Sequence, residues 1–178
     1  MKKIFFILSF YWCLPAFGQI EVGIEFQAYP TGLIPGIHLE YELTENSGIQ
    51  GRIGYNIVRH RDLGVHEDER GGGFGGTLGY RYYFKPNRTG IMLGARCDLW
   101  KNEVDWKDNI GTINEVQGTT NVTVLQPTAE IGYIFSLKKG LIFLPTVSLG
   151  GEINIQTEGA EVGQGAILLL GATIAKRF

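Results

Sequence analysis

The feature that most constrains this chain is a hydrophobic alternation with a period of two residues, which recurs in eight runs. In the run 20–28, the even positions hold Ile, Val, Ile, Phe and Ala, whereas the odd positions hold Glu, Gly, Glu and Gln. A period of two is that of a β-strand with one apolar face, since a surface helix repeats about every 3.6 residues. The runs begin near residues 20, 36, 49, 74, 91, 129, 141 and 165. The pattern therefore predicts eight strands of roughly 9 to 14 residues, and no helix.

The chain has 178 residues, a length typical of one domain. Its first 18 residues resemble a secretory leader, with Lys2 and Lys3, an apolar stretch over 4–14 and a small-x-small end at 16–18. We expect cleavage before Gln19, so that 1–18 is a signal peptide and 19–178 is one domain. After the leader there is no apolar run of about 18 residues that could form a spanning helix.

Composition narrows the possible functions further. The 16 Lys and Arg residues against 18 Asp and Glu residues leave no basic excess, so we expect no nucleic-acid partner. Cys13 lies in the predicted leader, and a lipoprotein signal there is disfavoured because bulky residues occupy positions 10–12. Cys97 is then the one cysteine left, which excludes an intramolecular disulfide.

The connections between the runs alternate between short and long. Tight turn sequences occupy 44–48, 85–90 and 136–140, whereas longer polar stretches occupy 59–72, 101–121 and 155–164. The connection near 30–35 is the one exception, because it is short where a long loop is expected. Short turns on one side and longer loops on the other are typical of barrels that span an outer membrane.

Aromatic residues fall where a barrel in lipid has its interfacial girdles. Those predicted to form a belt beside the short turns are Tyr41, Tyr82, Phe84, Tyr133, Phe135, Phe143 and Phe178. Those predicted to form a sparser belt at the opposite end are Phe26, Tyr55, Phe74 and Trp100.

The last run carries a more specific resemblance. Leu168, Leu170, Ala172 and Ile174 share a face with the terminal Phe178, and this resembles the C-terminal signature by which the barrel-assembly machinery recognises outer-membrane proteins. Residues 19–178 as a whole resemble the small eight-stranded barrels of the OmpA/OmpX type. The resemblance implies an all-β fold, an eight-stranded antiparallel up-and-down transmembrane β-barrel, located in the cell outer membrane.

The same resemblance implies partners but no site residues. We expect contact with outer-membrane lipids and lipopolysaccharide, transient contact with the barrel-assembly machinery during insertion, and an envelope protein as a further partner. No cofactor and no catalytic or metal-binding residue is predicted.

The face predicted to line the lumen carries many charges. An eight-stranded barrel is narrow and is filled by its own side chains, so buried charges there must pair or keep water. The predicted lumen network consists of Glu25, His38, Glu40, Arg52, Arg81, Arg96 and Glu130. An unbulged turn at 44–48 would place Glu40 opposite Arg52. A structural salt-bridge network is favoured, and a proton or ion path is the alternative.

Other motifs are weak. His38, His60 and His66 are candidates for the lipid-modifying chemistry of some barrel enzymes, but no serine occupies a suitable partner position. Gly71–Gly76 matches G-x-G-x-x-G, yet it precedes a strand rather than a helix, so it is interpreted as a flexible loop stem and smooth barrel wall. The carboxylates of 105–111 lack the spacing of a calcium loop.

The runs at 141–154 and 165–178 deviate from the simple pattern. Pro145 lies inside a predicted strand, where its missing N–H removes a ladder hydrogen bond. Both runs are also apolar on the lumen face, at Ile142, Leu144, Ile167 and Leu169. This predicts a partly apolar plug or a contact that covers these residues.

The favoured function is therefore that of a non-enzymatic outer-membrane barrel whose loops, especially 59–72 and 101–121, make structural or surface contacts. A narrow pore for small solutes is the first alternative, a lipid-modifying enzyme the second, and a soluble lipocalin-like carrier the third.

Overall fold

The eight predicted strands form one closed sheet, in which each strand pairs antiparallel with its sequence neighbours and β1 closes the ring against β8. The computed structural model describes residues 19–178, so the predicted leader and Cys13 lie outside the described residues. The strands are β1 (Ile20–Tyr29), β2 (Gly32–Thr44), β3 (Ser47–Arg61), β4 (Asp68–Lys85), β5 (Thr89–Asp108), β6 (Val116–Ser136), β7 (Leu141–Glu158) and β8 (Gly165–Arg177). The predicted eight-stranded antiparallel barrel is confirmed. Within residues 19–178, no helix is long and apolar enough to cross a membrane.

The alternation places an apolar band on the outside of the barrel. On β5, Ile91, Leu93 and Leu99 are 49, 45 and 44% exposed, and a soluble protein would bury such side chains. The next outward positions are Lys101 and Glu103. The apolar stretch from 91 to 99 therefore matches the roughly 9 to 11 tilted residues that cross a bilayer core.

The strands are longer than the alternation predicts. β4, β5 and β6 have 18, 20 and 21 residues, so the interpretation of 59–72, 101–121 and 155–164 as loops is wrong. Within these three stretches, only 62–67, 109–115 and 159–164 lie outside the strands. The backbone ladder continues through pairs such as Arg59 with Arg70 and Glu103 with Asn121. Beyond the apolar band the outward positions are polar, so the hydrophobic period disappears although the backbone ladder continues.

These extensions make the barrel asymmetric. We call residues 58–61, 68–73, 101–108, 116–123 and 155–158 the outer wall, because they continue the sheet past the apolar band. The eight outer-wall residues of β5, at 101–108, add about 26 Å of strand. At the same end of the barrel, but across the ring from these extensions, only Pro30 and Thr31 separate β1 from β2. The mouth is therefore high on one side and low on the other.

Two predictions about strand pairing need correction. His38, not Glu40, lies opposite Arg52, and Glu40 faces Gln50, because the register shifts at an irregularity between Glu42 and Thr44. The Gly71–Gly76 segment is not a loop stem, since all of it lies within β4. A Cβ added at Gly73 would overlap the Lys101 carbonyl oxygen, so glycine lets β4 and β5 approach closely there.

Pro145 is accommodated within β7. The β6–β7 ladder pairs Gly132 with Thr146 and resumes at Phe135 with Phe143, so pairing is interrupted beside the proline. On its other edge Pro145 lies opposite Ala172 of β8. The missing N–H thus falls at a local gap, and the barrel still closes.

The aromatic residues beside the short turns face outward and contact one another. The rings of Tyr133 and Phe135 are 4.7 Å apart and those of Tyr82 and Phe84 are 5.6 Å apart. At the other end, Tyr55 and Phe74 are 4.8 Å apart. The prediction that Trp100 belongs to that outer belt is wrong. It is completely buried in the lumen, because outward Leu99 leaves residue 100 on the inner face.

Chemical labelling of Cys97 tests the position of the apolar band, because this exposed cysteine faces outward inside the band. In a barrel refolded from residues 19–178 into lipid vesicles, we expect a polar maleimide to leave Cys97 unmodified, because the bilayer covers it. In a Cys97→Ser background, Lys101→Cys should react readily, since position 101 lies beyond the band. Gel-shift labelling measures both, with heat-unfolded protein as the control. Equal labelling of the two positions would contradict the placement.

Candidate functional site

The lumen is filled by a charge network that runs across the middle of the barrel. We use this name for the predicted residues Glu25, His38, Glu40, Arg52, Arg81, Arg96 and Glu130 together with Glu21, Asp98, Arg88 and Arg177. Every strand except β7 contributes a charged group or a hydrogen-bonding partner, because inward positions from all of them meet across a narrow ring. The side chains of Arg81, Glu40 and Asp98 have no exposed surface.

Two arginines share one pair of carboxylates in the outer half of the network. Arg52 Nη1 and Arg96 Nη1 each lie 3.0 Å from Glu25 Oε1. Arg52 Nη2 and Arg96 Nη2 each lie 2.7 Å from Asp98 Oδ1. Thr77 donates its hydroxyl to Asp98 and accepts from both guanidinium groups. Each charge thus has two partners on different strands.

Arg81 is the centre of the other half. Its Nε donates to Glu130 Oε1 at 2.8 Å, and its Nη1 lies 3.1 Å from Glu40 Oε2. Arg88 approaches the same Glu40 carboxylate through Oε1 at 3.1 Å. At the edge of the network, Arg177 Nη2 pairs with Glu21 Oε2 at 3.0 Å. Five arginines therefore face five carboxylates in the network.

All seven predicted lumen residues lie inside the barrel and are buried. The structure joins them into one network, but not through the Glu40–Arg52 pair that an unbulged register predicts. Sequence reasoning missed Arg88, because it belongs to the β4–β5 turn, where face alternation does not apply. Arg88 has a φ of 47°, and its side chain turns back into the lumen.

Glu21, His38 and Glu40 are the one group of described residues whose ligand atoms could converge on a metal ion, all within 4.8 Å. The guanidinium of Arg81 already lies among them, since its Nη1 is 3.4 Å from His38 Nε2 and 3.1 Å from Glu40 Oε2. A fixed cation thus supplies the positive charge that these carboxylates need, and the site does not fit a metal.

Apolar side chains close the lumen on both sides of the charges. The inner apolar cluster, beside the short turns, consists of Tyr83, Met92, Ile134, Ile142, Leu144 and Ala175. The outer apolar cluster consists of Ile34, Trp100, Val122, Val124, Ile167 and Leu169. The apolar residues predicted as a plug on β7 and β8 therefore pack inside the barrel. Trp100 links cluster and network, because Arg52 lies 5.3 Å above its ring.

Above the outer apolar cluster, the mouth of the barrel holds a cavity of about 360 Å³. Its walls include His60 on β3, Glu69 on β4 and Glu152 on β7. His60 Nε2 lies 3.0 Å from Glu69 Oε2, so these two residues form a buried pair in the wall. The cavity and the charge network are separate, since the outer apolar cluster lies between them.

His66, in the 62–67 connection, contacts the end of β5 and the 159–164 connection. Its ring stacks on Trp106 at 4.2 Å, Nδ1 lies 2.8 Å from Asp108 Oδ2, and Nε2 lies 3.1 Å from the Glu161 carbonyl oxygen. Both partners are acceptors, so the ring donates to both only when it is protonated.

Asp108 also accepts from the Glu67 N–H, and the His66 and Glu67 hydrogen bonds lower the pKa of the Asp108 carboxyl. The ionised carboxylate therefore stabilises these connections above the unfolded pKa of Asp108. That contribution is lost as pH falls through the lower folded value.

Comparison with known proteins identifies the fold. No protein-family model and no curated protein sequence matches the chain. Among solved structures, a major outer membrane protein from Thermus thermophilus is similar over 91% of this chain and 100% of its own, with 13% identity and a TM-score of 0.59. Ail of Yersinia pestis, solved with the heparin analogue sucrose octasulfate, is similar over 90% and 97%, with 12% identity and a TM-score of 0.52. The chain thus has the fold of small outer-membrane β-barrels.

Removal of one arginine tests how much the charge network contributes to stability. Arg96→Met leaves Glu25 and Asp98 short of a buried partner, so we expect the free energy of unfolding to fall by about 3 kcal/mol or more. Urea unfolding in lipid vesicles, followed by tryptophan fluorescence, measures the change. Arg61→Met is the matched control, because the Arg61 side chain is 67% exposed, and it should change stability by less than about 0.5 kcal/mol. Equal stability of the two variants would contradict a structural role.

Proposed function

We propose that this protein is an integral barrel of the outer membrane that neither conducts solutes nor catalyses a reaction, and that acts by presenting its outer wall to partners outside the membrane. The observation that carries the proposal is the continuation of β3 to β7 as paired strands beyond the apolar band. A ladder resists deformation better than a loop, so this surface is held in a fixed shape for contact.

The filled lumen argues against a pore. An ion that entered would have to displace the outer apolar cluster and separate Arg52 and Arg96 from Glu25 and Asp98. Breaking buried, doubly bonded ion pairs leaves uncompensated charges, which costs several kcal/mol. A static network is therefore favoured over an ion path.

The surroundings of the histidines argue against lipid-modifying catalysis. His38 lies among carboxylates and Arg81, His60 pairs with Glu69, and His66 pairs with Asp108. Within residues 19–178, none of these rings hydrogen-bonds to a serine, threonine or cysteine that could act as a nucleophile.

The charge of the mouth favours a basic partner. Over 58–70, 101–118 and 152–165, eleven carboxylates stand against five Lys and Arg side chains. The carboxylates are Asp62, Glu67, Asp68, Glu69, Glu103, Asp105, Asp108, Glu115, Glu152, Glu158 and Glu161. Such a surface attracts cationic groups and repels polyanions. A sulfated ligand such as that bound to Ail is therefore not expected here.

The outward surface offers contact sites for the other expected partners, which are lipids, lipopolysaccharide, the assembly machinery and an envelope protein. The apolar band provides the contact with outer-membrane lipids, and lipopolysaccharide would surround the outer end of the barrel. Phe178 is 69% exposed, and its N–H donates to the Ile20 carbonyl at 2.9 Å, so its ring projects outward beside the closing strand pair. This position suits a role as the signal for the barrel-assembly machinery. A basic envelope protein would be a suitable partner for the wall.

Neutralising two wall carboxylates tests the proposed contact surface. Glu103 and Asp105 are exposed on the outer wall, so we expect Glu103→Gln/Asp105→Asn to weaken binding of an octalysine peptide to the barrel in neutral-lipid nanodiscs by about threefold. The affinity, measured by calorimetry, should also fall as salt rises. Glu45→Gln, in the β2–β3 turn at the other end, is the control. Equal weakening by control and wall variants would contradict the proposal.

A further inference from the structure

We propose that the cavity in the outer mouth is a binding site for a small organic cation, an alkylammonium ion whose charged group meets Glu152 and whose carbon chain rests on the outer apolar cluster. This inference goes beyond the surface contact proposed above and does not depend on it. The cavity faces inward from the wall, whereas Glu103 and Asp105 face outward.

The cavity has a size and construction suited to a small ligand. Its volume of about 360 Å³ lies within the usual range of small-molecule pockets. The low β1–β2 side of the mouth leaves it open to the outside, with Tyr29 on that rim. Its floor includes Val122, Val124 and Ile167, which are 5, 3 and 7% exposed. Aliphatic walls with a few polar groups are the usual composition of such pockets.

Two polar groups of the wall, on Asn154 and Tyr29, present acceptors to the cavity because their own donors already bind the protein. Asn154 donates from Nδ2 to the carbonyl oxygens of Val162 and Gly163, and its buried Oδ1 has no partner among the described residues. Tyr29 donates its hydroxyl to Asn56 Oδ1 at 2.6 Å, which leaves the phenolic oxygen free to accept. A ligand that complements these groups must bring hydrogen-bond donors.

His60 points to the same ligand chemistry. It lies in the cavity wall, only 8% exposed, and its Nδ1 has no hydrogen-bond partner among residues 19–178. Its Nε2 faces the Glu69 carboxylate and donates to it, and in the neutral tautomer that carries its hydrogen on Nε2 the Nδ1 atom is an acceptor. An unpartnered buried acceptor costs free energy unless a ligand or water satisfies it.

Glu152 supplies the charge that selects a cation. Its Oε2 accepts from Gln126 Nε2 at 2.6 Å, and within the described part of the chain no Lys, Arg or His pairs with it. The Glu69 carboxylate lines the same cavity and adds a second negative charge. Glu152 is partly buried, so water compensates its charge only in part, whereas this barrel pairs the fully buried carboxylates of its charge network with arginine. An ammonium group would supply the missing counter-charge.

Binding of 1,5-diaminopentane tests the proposal, with the uncharged 1,5-pentanediol as the matched probe. We expect calorimetry on the detergent-solubilised barrel to detect saturable binding of the diamine and none of the diol at the same concentration. Glu152→Gln keeps the shape of the side chain and removes its charge, so affinity should fall about tenfold or more. Val122→Phe, which fills the floor without a change of charge, should also abolish binding.

Controls separate the cavity from the rest of the surface. Heat-modifiable migration on gels shows that each variant is folded, and Glu45→Gln should bind the diamine as the unchanged protein does. If the diamine does not bind, if Glu152→Gln binds it equally well, or if the diol binds as tightly, the proposal is overturned. Glu103→Gln/Asp105→Asn, which weakens octalysine binding if the wall proposal holds, should leave diamine binding within about twofold. The two proposals can therefore fail separately.

Discussion

Buried charge that must be neutralised within the barrel is the constraint on which the rest of this structure depends. Eight strands enclose a space that side chains fill completely, and here the filling includes five arginines and five carboxylates. Arg52 and Arg96 are held between Glu25 and Asp98, and Arg81 joins Glu40 to Glu130. Arg52–Glu25, Arg96–Glu25 and Arg81–Glu130 each join two different strands, so these ion pairs also fix the distances between strands.

The apolar clusters on the two sides of the charge network follow from the same need to neutralise buried charge. Inner and outer apolar clusters keep water from the ion pairs, which strengthens the electrostatic attraction between partners. They also separate the interior from the two ends of the barrel. The function we propose therefore belongs to the outside of the barrel, where the apolar band meets lipid and the outer wall meets water. The mouth, above the outer apolar cluster, keeps an inward-facing cavity whose carboxylates, Glu69 and Glu152, have no arginine partner among residues 19–178.

The sequence predicts faces well and partners poorly, for a physical reason. Alternation alone assigns Glu25, Arg81 and Glu130 to the lumen, since a strand's two faces do not depend on its register. The identity of each pair depends on register and on contacts across the ring, so an irregularity at Glu42–Thr44 was enough to make the Glu40–Arg52 prediction wrong. The outer wall was not predicted to be strand because neither of its faces is continuously apolar, so the period of two is absent there. The cavity escaped it because His60, Glu69 and Glu152 come from three separate strands.

The most direct test of this account is the conductance of planar bilayers that contain the purified barrel. A lumen filled by the charge network and two apolar clusters predicts no discrete current steps at neutral pH in salt solution. Heat-modifiable migration verifies that the barrel is folded, and protease protection of the same preparation in lipid vesicles verifies that it inserts. Reproducible single-channel steps, lost when the barrel is heat-unfolded before addition, would contradict the central claim that the lumen is closed.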